Sequence, residues 1–274
     1  MCPKLFQIGP FPIYSYGLML ATGFITASYL LTSEFKRRGI DPNAANTVTL
    51  IALIGGVSGS KILYLIEHWA QFVGDPAGMA FSPGGLTFYG GLILASVSIY
   101  VYGRAKKIPF LTIADSTAPG LILAYGIGRI GCHLSGDGDY GYPTSLPWGT
   151  NYSNGTYPPS IAFRDFPEIT KLYPHGIVPD NTPCHPTPIY EFILCAAAFW
   201  YLWRIRKQTG PAGRLFMLYL VLAGIERFSV EFLRINPRIA YGLSEAQLIS
   251  IVLIAVGGVG WFVLPRLTTP VPSK

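Results

Sequence analysis

The stretch AQLISIVLIAVGGVGWFVL, residues 246–264, runs for 19 positions without a charged side chain. An α-helix rises about 1.5 Å per residue, so a helix of this length nearly matches the ~30 Å hydrocarbon core of a bilayer. A long apolar run of this kind is typical of a membrane span rather than of a helix buried in a soluble protein. The segment is therefore predicted to cross a membrane.

Working back along the chain, six further apolar segments are predicted to span, although some are short or interrupted by glycine. They are residues 13–31, 47–66, 86–102, 111–131, 189–203 and 215–230. Apolar residues make up 50% of the chain and charged residues only 12%, against about 25% charged in an ordinary soluble domain. The composition predicts an all-α integral membrane protein with seven transmembrane helices, organised as one transmembrane domain over residues 1–274.

The basic residues, which give a net charge of +6, lie in short runs between the apolar segments. This placement argues against a nucleic-acid interface and favours the rule that basic loops face the cytoplasm. The basic loops follow spans one, three, five and seven: Lys36, Arg37, Arg38; Arg104, Lys106, Lys107; Arg204, Arg206, Lys207, Arg214; Arg266, Lys274. An outer N-terminus and a cytoplasmic C-terminus are predicted. The first residues lack the features of a cleavable signal, so the first span is expected to be retained.

A long loop, residues 132–188, separates spans four and five and is rich in Gly, Pro, Tyr and Asn. It shows no clear helical or strand period. A loop of this length is more often functional than a passive linker. It is predicted to form an irregular head on the outer, periplasmic or extracellular face.

The predicted topology brings the polar residues of distant spans to one depth, the outer leaflet or its interface. They are Tyr16, Lys61, Glu67, His68, Tyr89, Arg129, His185, Tyr190, Glu191, Arg227, Glu231 and Arg234. A buried arginine in a membrane costs at least about 2.5–3.5 kcal/mol on insertion scales, so such residues point to a functional site.

Structural explanations stay open for several of these residues. Lys61, Arg234 and Arg238 can extend to the headgroups without any other role. Arg227, Glu231 and Arg234, spaced i, i+4 and i+7, are predicted to share one helical face; the first two can simply form an ion pair between helices. The glycines beside Arg129 permit close backbone approach.

Two other patterns do not by themselves indicate a functional site. The run Gly136-Asp137-Gly138-Asp139 lacks the spacing of a calcium loop and is predicted to be a turn with exposed acids; no metal is expected. Cys132 and Cys184 both fall on the predicted outer side, where a disulfide is possible but not required.

Arginines at headgroup depth suit an anionic lipid, because a guanidinium binds phosphate through two parallel hydrogen bonds. A carboxylate such as Glu231 can orient an arginine or accept a proton. These residues predict a phospholipid site that opens outward, in a lipid enzyme or in a lipid carrier.

Residues 128–137 have the sequence GRIGCHLSGD. This motif resembles GRIGNFxNGE, the signature of bacterial prolipoprotein diacylglyceryl transferases. The other patches follow in family order: YGLM at 16–19, FYGGL at 88–92, HPTPIYE at 185–191, RFSVEFLR at 227–234, and Gln247 at the start of the last span. Each patch alone is weak, but together they cover nearly the whole chain.

The resemblance implies transfer of the diacylglyceryl group of phosphatidylglycerol to the thiol of a lipobox cysteine, the first step of lipoprotein maturation. It implies a multi-pass protein of the bacterial inner membrane, with an active site open to the outer leaflet and no cofactor. Its partners would be phosphatidylglycerol, the prolipoprotein signal peptide with its lipobox, and membrane lipids.

The resemblance also implies roles for individual residues. Arg129 and Arg227 would hold the phosphate, and Glu231 would orient Arg227. Candidate catalytic residues are then Arg129, Arg227, Glu231, Tyr89 and His185. Candidate substrate-binding residues are Tyr16, Lys61, Cys132, Asp137, Tyr190, Glu191, Arg234 and Gln247.

Three positions depart from the family pattern: Tyr89 replaces a histidine, Cys132 an asparagine and Asp137 a glutamate. Tyrosine has a reference pKa near 10 and needs nearby cations to act as a base. Otherwise His133 or His185 would take the thiol proton. The alternatives to the family reaction are a divergent paralogue with another acceptor and a non-catalytic protein that binds or transports phospholipid.

Overall fold

The computed structural model describes residues 1–82 and 84–267, and within this part the chain is mainly helical. The helices are α1 (Ser15–Arg37), α2 (Asn43–Glu67), α3 (Trp69–Gly74), α4 (Pro76–Phe81), α5 (Phe88–Ala105), α6 (Phe110–Ser135), α7 (Pro159–Ala162), α8 (Pro167–Thr170), α9 (Thr187–Ile205), α10 (Arg214–Val230) and α11 (Glu245–Leu267). The strands form three short antiparallel pairs: β1 (Lys4–Ile8) with β2 (Phe11–Tyr14), β3 (Thr150–Asn151) with β4 (Pro183–Cys184), and β5 (Arg238–Ala240) with β6 (Leu243–Ser244).

Each of the seven predicted spans coincides with a long helix. Four of the described helices, α1, α2, α6 and α11, are long and apolar enough on their own to cross a bilayer. Crossing by α5, α9 and α10, and the orientation of all seven, stay predictions. Lys274 and the side chain of Arg266 lie outside the described residues.

The start of the first span was placed too early. Residue Ile13 belongs to β2, and α1 begins at Ser15. The preceding β1–β2 hairpin pairs Phe6 with Ile13 and Ile8 with Phe11. An extended segment fits here because proline at positions 10 and 12 leaves the backbone without two N–H donors that a helix would use.

The chain forms two compact units, one of residues 28–116 and one of residues 1–27 with 117 onward. In the first of these, α2 packs on α5 through glycine. A Cβ atom on Gly59 would lie 2.3 Å from the backbone oxygen of Gly90, and one on Gly55 would lie 3.0 Å from the Cα of Ala95. Small residues permit this approach between membrane helices. Gly55 and Gly59 therefore belong to the face of α2 that packs on α5, and α2 is continuous.

The same unit has an apolar core at the end of α1, the start of α2 and the start of α6, which includes Phe35, Val48 and Ile113. A buried acid lies beside it. Glu34 is bonded by Arg37, with Nη2 at 2.5 Å from Oε2, and Arg38 lies between Glu34 and Asp115. The pairing compensates the charges of these buried carboxylates.

In the other unit, α9 and α10 pack on the second half of α6 around a buried core of Ile122, Cys195, Leu202 and Leu215. Close glycine contacts position the helix ends. Gly131 in the GRIG motif lies against α1, since a Cβ there would be 3.2 Å from the Cα of Tyr16. The expected close approach is thus confirmed for Gly131, whereas it is wrong for Gly128, which has open space around it.

The long loop is not wholly irregular. Helix α6 continues through Cys132 and His133 to Ser135, so the loop begins at Gly136. From there to α9 the chain packs short helices and strands around its own apolar core, which includes Tyr140, Tyr152, Phe163, Ile169, Val178 and Cys184. The rings of Tyr140 and Tyr152 stack with centroids 4.2 Å apart. We call residues 136–186 the head.

Candidate functional site

Arg129 lies on the penultimate turn of α6, and the helix itself supplies its first partner. Tyr125, one turn earlier, accepts hydrogen bonds at its hydroxyl from Arg129 Nε at 3.0 Å and Nη2 at 2.8 Å. The guanidinium lies 4.9 Å from the centroid of the same ring. Cys132 Sγ is 3.8 Å from Nη1. The i, i+4 spacing fixes the direction in which Arg129 points.

Glu191, in the first turns of α9, is the centre of the site and is fully buried. Its Oε1 accepts from Arg227 Nη1 at 2.7 Å. Its Oε2 lies 2.7 Å from Arg129 Nε and 3.4 Å from Arg234 Nη1. One carboxylate therefore gathers three arginines from α6, α10 and the segment after α10. Glu191 had been predicted only as one substrate-binding residue among several.

Glu231 is the second fully buried carboxylate. Its Oε1 accepts from Ser244 Oγ and Asn236 Nδ2, both at 2.7 Å. Its Oε2 lies 3.1 Å from Arg227 Nη2 and 3.6 Å from Arg234 Nε. The expected Arg227–Glu231 pair is present.

The expectation that Arg227, Glu231 and Arg234 share one helical face is wrong in part. Helix α10 ends at Val230, a 3₁₀ turn spans Glu231–Leu233, and Arg234 has extended backbone. Proline at position 237 makes a longer helix unfavourable. Arg234 still reaches the same carboxylates, because the turn folds its side chain back toward them.

Asp139 supplies a third carboxylate, from the head. It is ion-paired with Arg129 Nη1 through Oδ2, and its Oδ1 accepts from Arg234 Nη2 at 2.5 Å. The prediction of a turn with exposed acids is therefore wrong for Asp139, which is one-third exposed and doubly paired. Glycines at positive φ on either side of Asp137, Gly136 at +58° and Gly138 at +91°, allow the tight path that brings Asp139 there.

Backbone hydrogen bonds hold this part of the head in place. Tyr142 N–H donates to Leu233 O at 3.0 Å, and Gly141 forms an isolated antiparallel bridge with Arg234. On the other side, Thr187 Oγ1 donates to Asp139 O at 2.7 Å. The head segment is thus fixed between the start of α9 and the end of α10.

We call these six residues the arginine cluster: Arg129, Arg227 and Arg234 with Asp139, Glu191 and Glu231. Three positive and three negative formal charges make it neutral as it stands. Burial of several charges is tolerated because each is paired. Burial alone would raise the pKa of Asp139, but Arg234 and Arg129 outweigh it and hold that pKa below its usual value.

Asp137 and Cys132, the two family departures next to the cluster, lie beside Asp139. One ligand atom from each of the three residues falls within 4.8 Å of the other two. Such a group could hold a cation, but both Asp139 oxygens are engaged by arginine. Burial and the nearby Asp139 carboxylate raise the pKa of Asp137. The absence of a required metal stays a prediction.

His185, Tyr190 and Trp148 form a chain of polar contacts at the edge of the head. Trp148 Nε1 donates to the Tyr190 hydroxyl at 2.8 Å, and His185 Nδ1 lies 3.3 Å from the same hydroxyl. Burial lowers the pKa of His185, which favours the neutral form of its ring. The other candidate histidine, His133, has its Nδ1 3.0 Å from the hydroxyl of Tyr152 in the head core.

Gln247 is fully buried at the start of α11 and supports the segment around Glu231. Its Oε1 accepts from Arg238 Nη1 at 2.8 Å and from the Ser244 N–H at 3.1 Å. Arg238 also donates to the backbone oxygen of Glu231 at 3.3 Å. Arg238 therefore has specific partners rather than a free headgroup position.

Three predicted residues lie outside these contacts. Tyr16 is the second residue of α1 and is partly exposed beside Gly131. Lys61 and Tyr89 belong to the other compact unit. There Lys61 Nζ donates to Ser82 O, Ser82 Oγ and Gly84 O at 2.8–2.9 Å, which ties the loop before α5 to α2. Tyr89 packs edge-on against Phe88 and is partly exposed.

All four cysteines are free, so the possible Cys132–Cys184 disulfide is absent. Cys184 is buried in the head core and pairs in β4 with Thr150. Burial raises the pKa of its thiol to about 12.

Comparison with known proteins identifies the family. The family model for prolipoprotein diacylglyceryl transferase matches residues 3–263. The chain belongs to this family. It is 35% identical over 259 residues to the phosphatidylglycerol–prolipoprotein diacylglyceryl transferase of Clostridium tetani, covering 94% of this chain and 95% of that protein. The Dehalococcoides mccartyi (strain ATCC BAA-2266 / KCTC 15142 / 195) protein of the same name is 32% identical over 257 residues, covering 93% and 90%.

The predicted membership in the diacylglyceryl transferase family is therefore confirmed. Sequence reasoning missed Asp139 as a member of the cluster, and it missed Tyr125, Asn236 and Ser244 as partners of the cluster. Only Tyr125 carried a usable signal, since it stands four residues before Arg129 on a predicted helix. The other three reach the cluster through turns whose path no periodicity reveals.

Proposed function

We propose that this protein transfers the diacylglyceryl group of phosphatidylglycerol to the thiol of a lipobox cysteine in a prolipoprotein. The cysteine sulfur attacks the glyceryl carbon that carries the phosphate ester. An S–C bond forms, the C–O bond breaks, and glycerol 1-phosphate leaves with the bonding electrons. The thiol proton passes to a base, because the thiolate is the nucleophile.

The observation that carries this proposal is the convergence of three arginines on buried Glu191. A phosphate ester needs several guanidinium groups held at fixed positions, since leaving-group charge is best stabilised by donors already in place. Arg129 and Arg227 are assigned to the phosphate, and Glu231 orients Arg227 through the 3.1 Å ion pair. Membership in the transferase family supports the same reaction.

The proposed base is His185. It lies in the same compact unit as the arginine cluster, and its lowered pKa favours the neutral ring, which is the form that can accept a proton. Its backbone is fixed by hydrogen bonds to Gly141 and Tyr142. Tyr89 is the alternative. A His185→Gln variant should lose the rise of kcat with pH that a histidine base produces, whereas Tyr89→Phe should keep it; the reverse result assigns the proton to Tyr89.

The remaining predicted residues are proposed to shape the substrate site. Tyr16 lines the lipid pocket, Cys132 and Asp137 border it near Asp139, and Tyr190, Glu191, Arg234 and Gln247 hold its polar wall. Lys61 is proposed to act at the lipid headgroup level. The predicted acceptor is the signal-peptide lipobox, and no cofactor is required.

We further propose seven spans in the bacterial inner membrane, with an outer N-terminus, a cytoplasmic C-terminus and a site open to the outer leaflet. The alternation of basic and non-basic loops supports this arrangement. In a Cys2→Ser background, Asp165→Cys in the head should react with an impermeant maleimide in cells whose outer membrane is permeabilised. Lys107→Cys should react only after the inner membrane is opened. Equal labelling of both positions would contradict the orientation.

The reaction is tested with purified protein, phosphatidylglycerol and a synthetic lipobox peptide. Mass spectrometry should detect one diacylglyceryl group on the peptide cysteine, and none on a peptide with serine in its place. Arg129→Ala should lose activity by at least about 100-fold, as expected for removal of a transition-state donor. Arg164→Ala, at an exposed head position, is the matched control.

Two other results would change the assignment. Full activity in Arg129→Ala would exclude the proposed phosphate site. Absence of peptide modification, together with bound phosphatidylglycerol, would favour a different acceptor or a lipid-binding role. Offering other thiol and hydroxyl acceptors with the same lipid then separates these two alternatives.

A further inference from the structure

The three carboxylates of the arginine cluster differ in their access to solvent. The side chains of Glu191 and Glu231 are 0% exposed, whereas that of Asp139 is 33% exposed. Glu191 lies at the start of α9 and Glu231 in the turn after α10, whereas Asp139 reaches the arginines from the head. A ligand arriving at the cluster can therefore replace Asp139 without disturbing the two buried carboxylates.

Asp139 presents its two oxygens as a phosphodiester would. Oδ2 pairs with Arg129 and Oδ1 with Arg234, so one negative group bridges two guanidinium groups. A phosphodiester also carries one negative charge on two non-bridging oxygens. Arginine binds both kinds of group with the same fork of N–H donors.

Charge balance in the cluster favours the departure of one carboxylate when an anion binds. With Asp139 in place the six charges of the cluster sum to zero, so an added phosphodiester would bring an uncompensated negative charge into a largely buried site. Such a charge is costly without a partner. With Asp139 withdrawn, three arginines face two carboxylates and one positive charge is free for the lipid.

We propose that Asp139 occupies the phosphate position between Arg129 and Arg234 in the empty enzyme, and that the anionic headgroup binds by displacing it. This inference rests on the proposed function, because it takes a phospholipid phosphate as the ligand of the cluster. It also places Arg234 beside Arg129 as a phosphate contact, in addition to Arg227.

The displacement needs only a side-chain movement. Asp139 O accepts from Thr187 Oγ1, and the Gly141–Arg234 bridge and the Tyr142–Leu233 hydrogen bond hold the following residues. The backbone therefore stays in place while the side chain of Asp139, which is already partly exposed, rotates toward solvent. Asp139 thus sets the affinity of the site for a phosphodiester headgroup.

The test compares binding of short-chain, water-soluble dihexanoyl phosphatidylglycerol to wild type and to Asp139→Asn by titration calorimetry in detergent. Asparagine has the same shape and no charge, so the lipid no longer competes with a carboxylate. Because a charge-assisted contact to each of two arginines is removed from the empty state, the Kd should fall by about tenfold or more. Asp139→Ser is a second variant that also lacks the competing charge.

The matched controls separate charge from position. Asp165→Asn changes the net charge by the same amount at an exposed head position that pairs with Arg164, and it should leave the Kd unchanged. Asp139→Glu keeps a carboxylate and should not tighten binding. Glycerol 1-phosphate is titrated in parallel. Its Kd shows whether a phosphate ester without acyl chains gains the same increase in affinity in the variant as the lipid does.

A Kd that is higher or unchanged in both Asp139→Asn and Asp139→Ser would overturn the inference. Asp139 would then be a residue that positions the arginines. The outcome is independent of the reaction. Tighter binding in a protein that modifies no lipobox peptide would leave the displacement standing and remove the proposed function. Peptide modification by wild type together with weaker lipid binding in the variants would support the proposed function and remove the displacement.

Discussion

Replacement of Glu191 by glutamine tests whether this carboxylate holds the site together. The change removes one negative charge and keeps the size of the side chain. In wild type, Arg129 and Arg227 each lie 2.7 Å from a Glu191 oxygen, and Arg234 lies at 3.4 Å. Removing one member of a buried ion pair costs about 3–5 kcal/mol, because the partner is left buried and unpaired. Glutamine retains one oxygen acceptor, so we expect the lower end of this range.

A loss of about 3 kcal/mol should lower the Tm by about 6–12 °C in a protein of this size. The assay is thermal unfolding in detergent at pH 7, followed by circular dichroism. Glu168→Gln, an exposed acid in the head, is the matched control and should stay within about 2 °C of wild type. A Glu191→Gln variant as stable as this control would refute the view that the three arginines depend on Glu191.

Three further predictions concern packing, cysteine reactivity and pH. Gly59→Ala should sharply reduce folded yield on size-exclusion chromatography, because a Cβ there would lie 2.3 Å from a backbone oxygen of α5; Gly56→Ala, with open space around it, should not. Native protein should take up one maleimide per chain, at exposed Cys2, and four after denaturation without reductant, since all four thiols are free; fewer than four would reveal a disulfide. The pKa of Asp139 is lowered on folding, so its charge stabilises the fold above the unfolded pKa, and that contribution is lost as pH falls through the folded pKa. The pKa of Asp137 is raised, so its ionisation costs stability as pH rises. At pH 7, Asp139→Asn should therefore lower the Tm and Asp137→Asn should raise it; equal shifts in differential scanning fluorimetry would contradict the two assignments.

The helices could be predicted from sequence because a membrane span has a strong local signature. All seven apolar segments are helical, and the errors in their predicted bounds are confined to the helix ends. Residue Ile13 lies in a hairpin, and α6 continues to Ser135. Hydropathy marks the apolar centre of a helix, whereas its ends depend on local contacts such as the packing of Gly131 against Tyr16.

Prediction of the site succeeded for residue types and for the Arg227–Glu231 pair, but it failed for the other partners. The sequence placed Arg129, Arg227 and Glu231 at one depth, and the structure brings all three into one cluster. It gave no reason to place Glu191 at the centre, and it assigned Asp139 to a solvent-exposed turn. A carboxylate in a loop can face water or an arginine, and its pattern in the sequence is the same in both cases.

The sequence by itself determined that the chain is a helical membrane protein of the diacylglyceryl transferase family and that several arginines share a region. Apolar length and ordered motifs are properties of the linear chain, so they need no fold to be recognised. Only the tertiary structure decided which acid meets which arginine. The pairing of Asp139 with Arg234 joins residues 95 positions apart, and it depends on a glycine turn, a backbone bridge and the early end of α10 acting together.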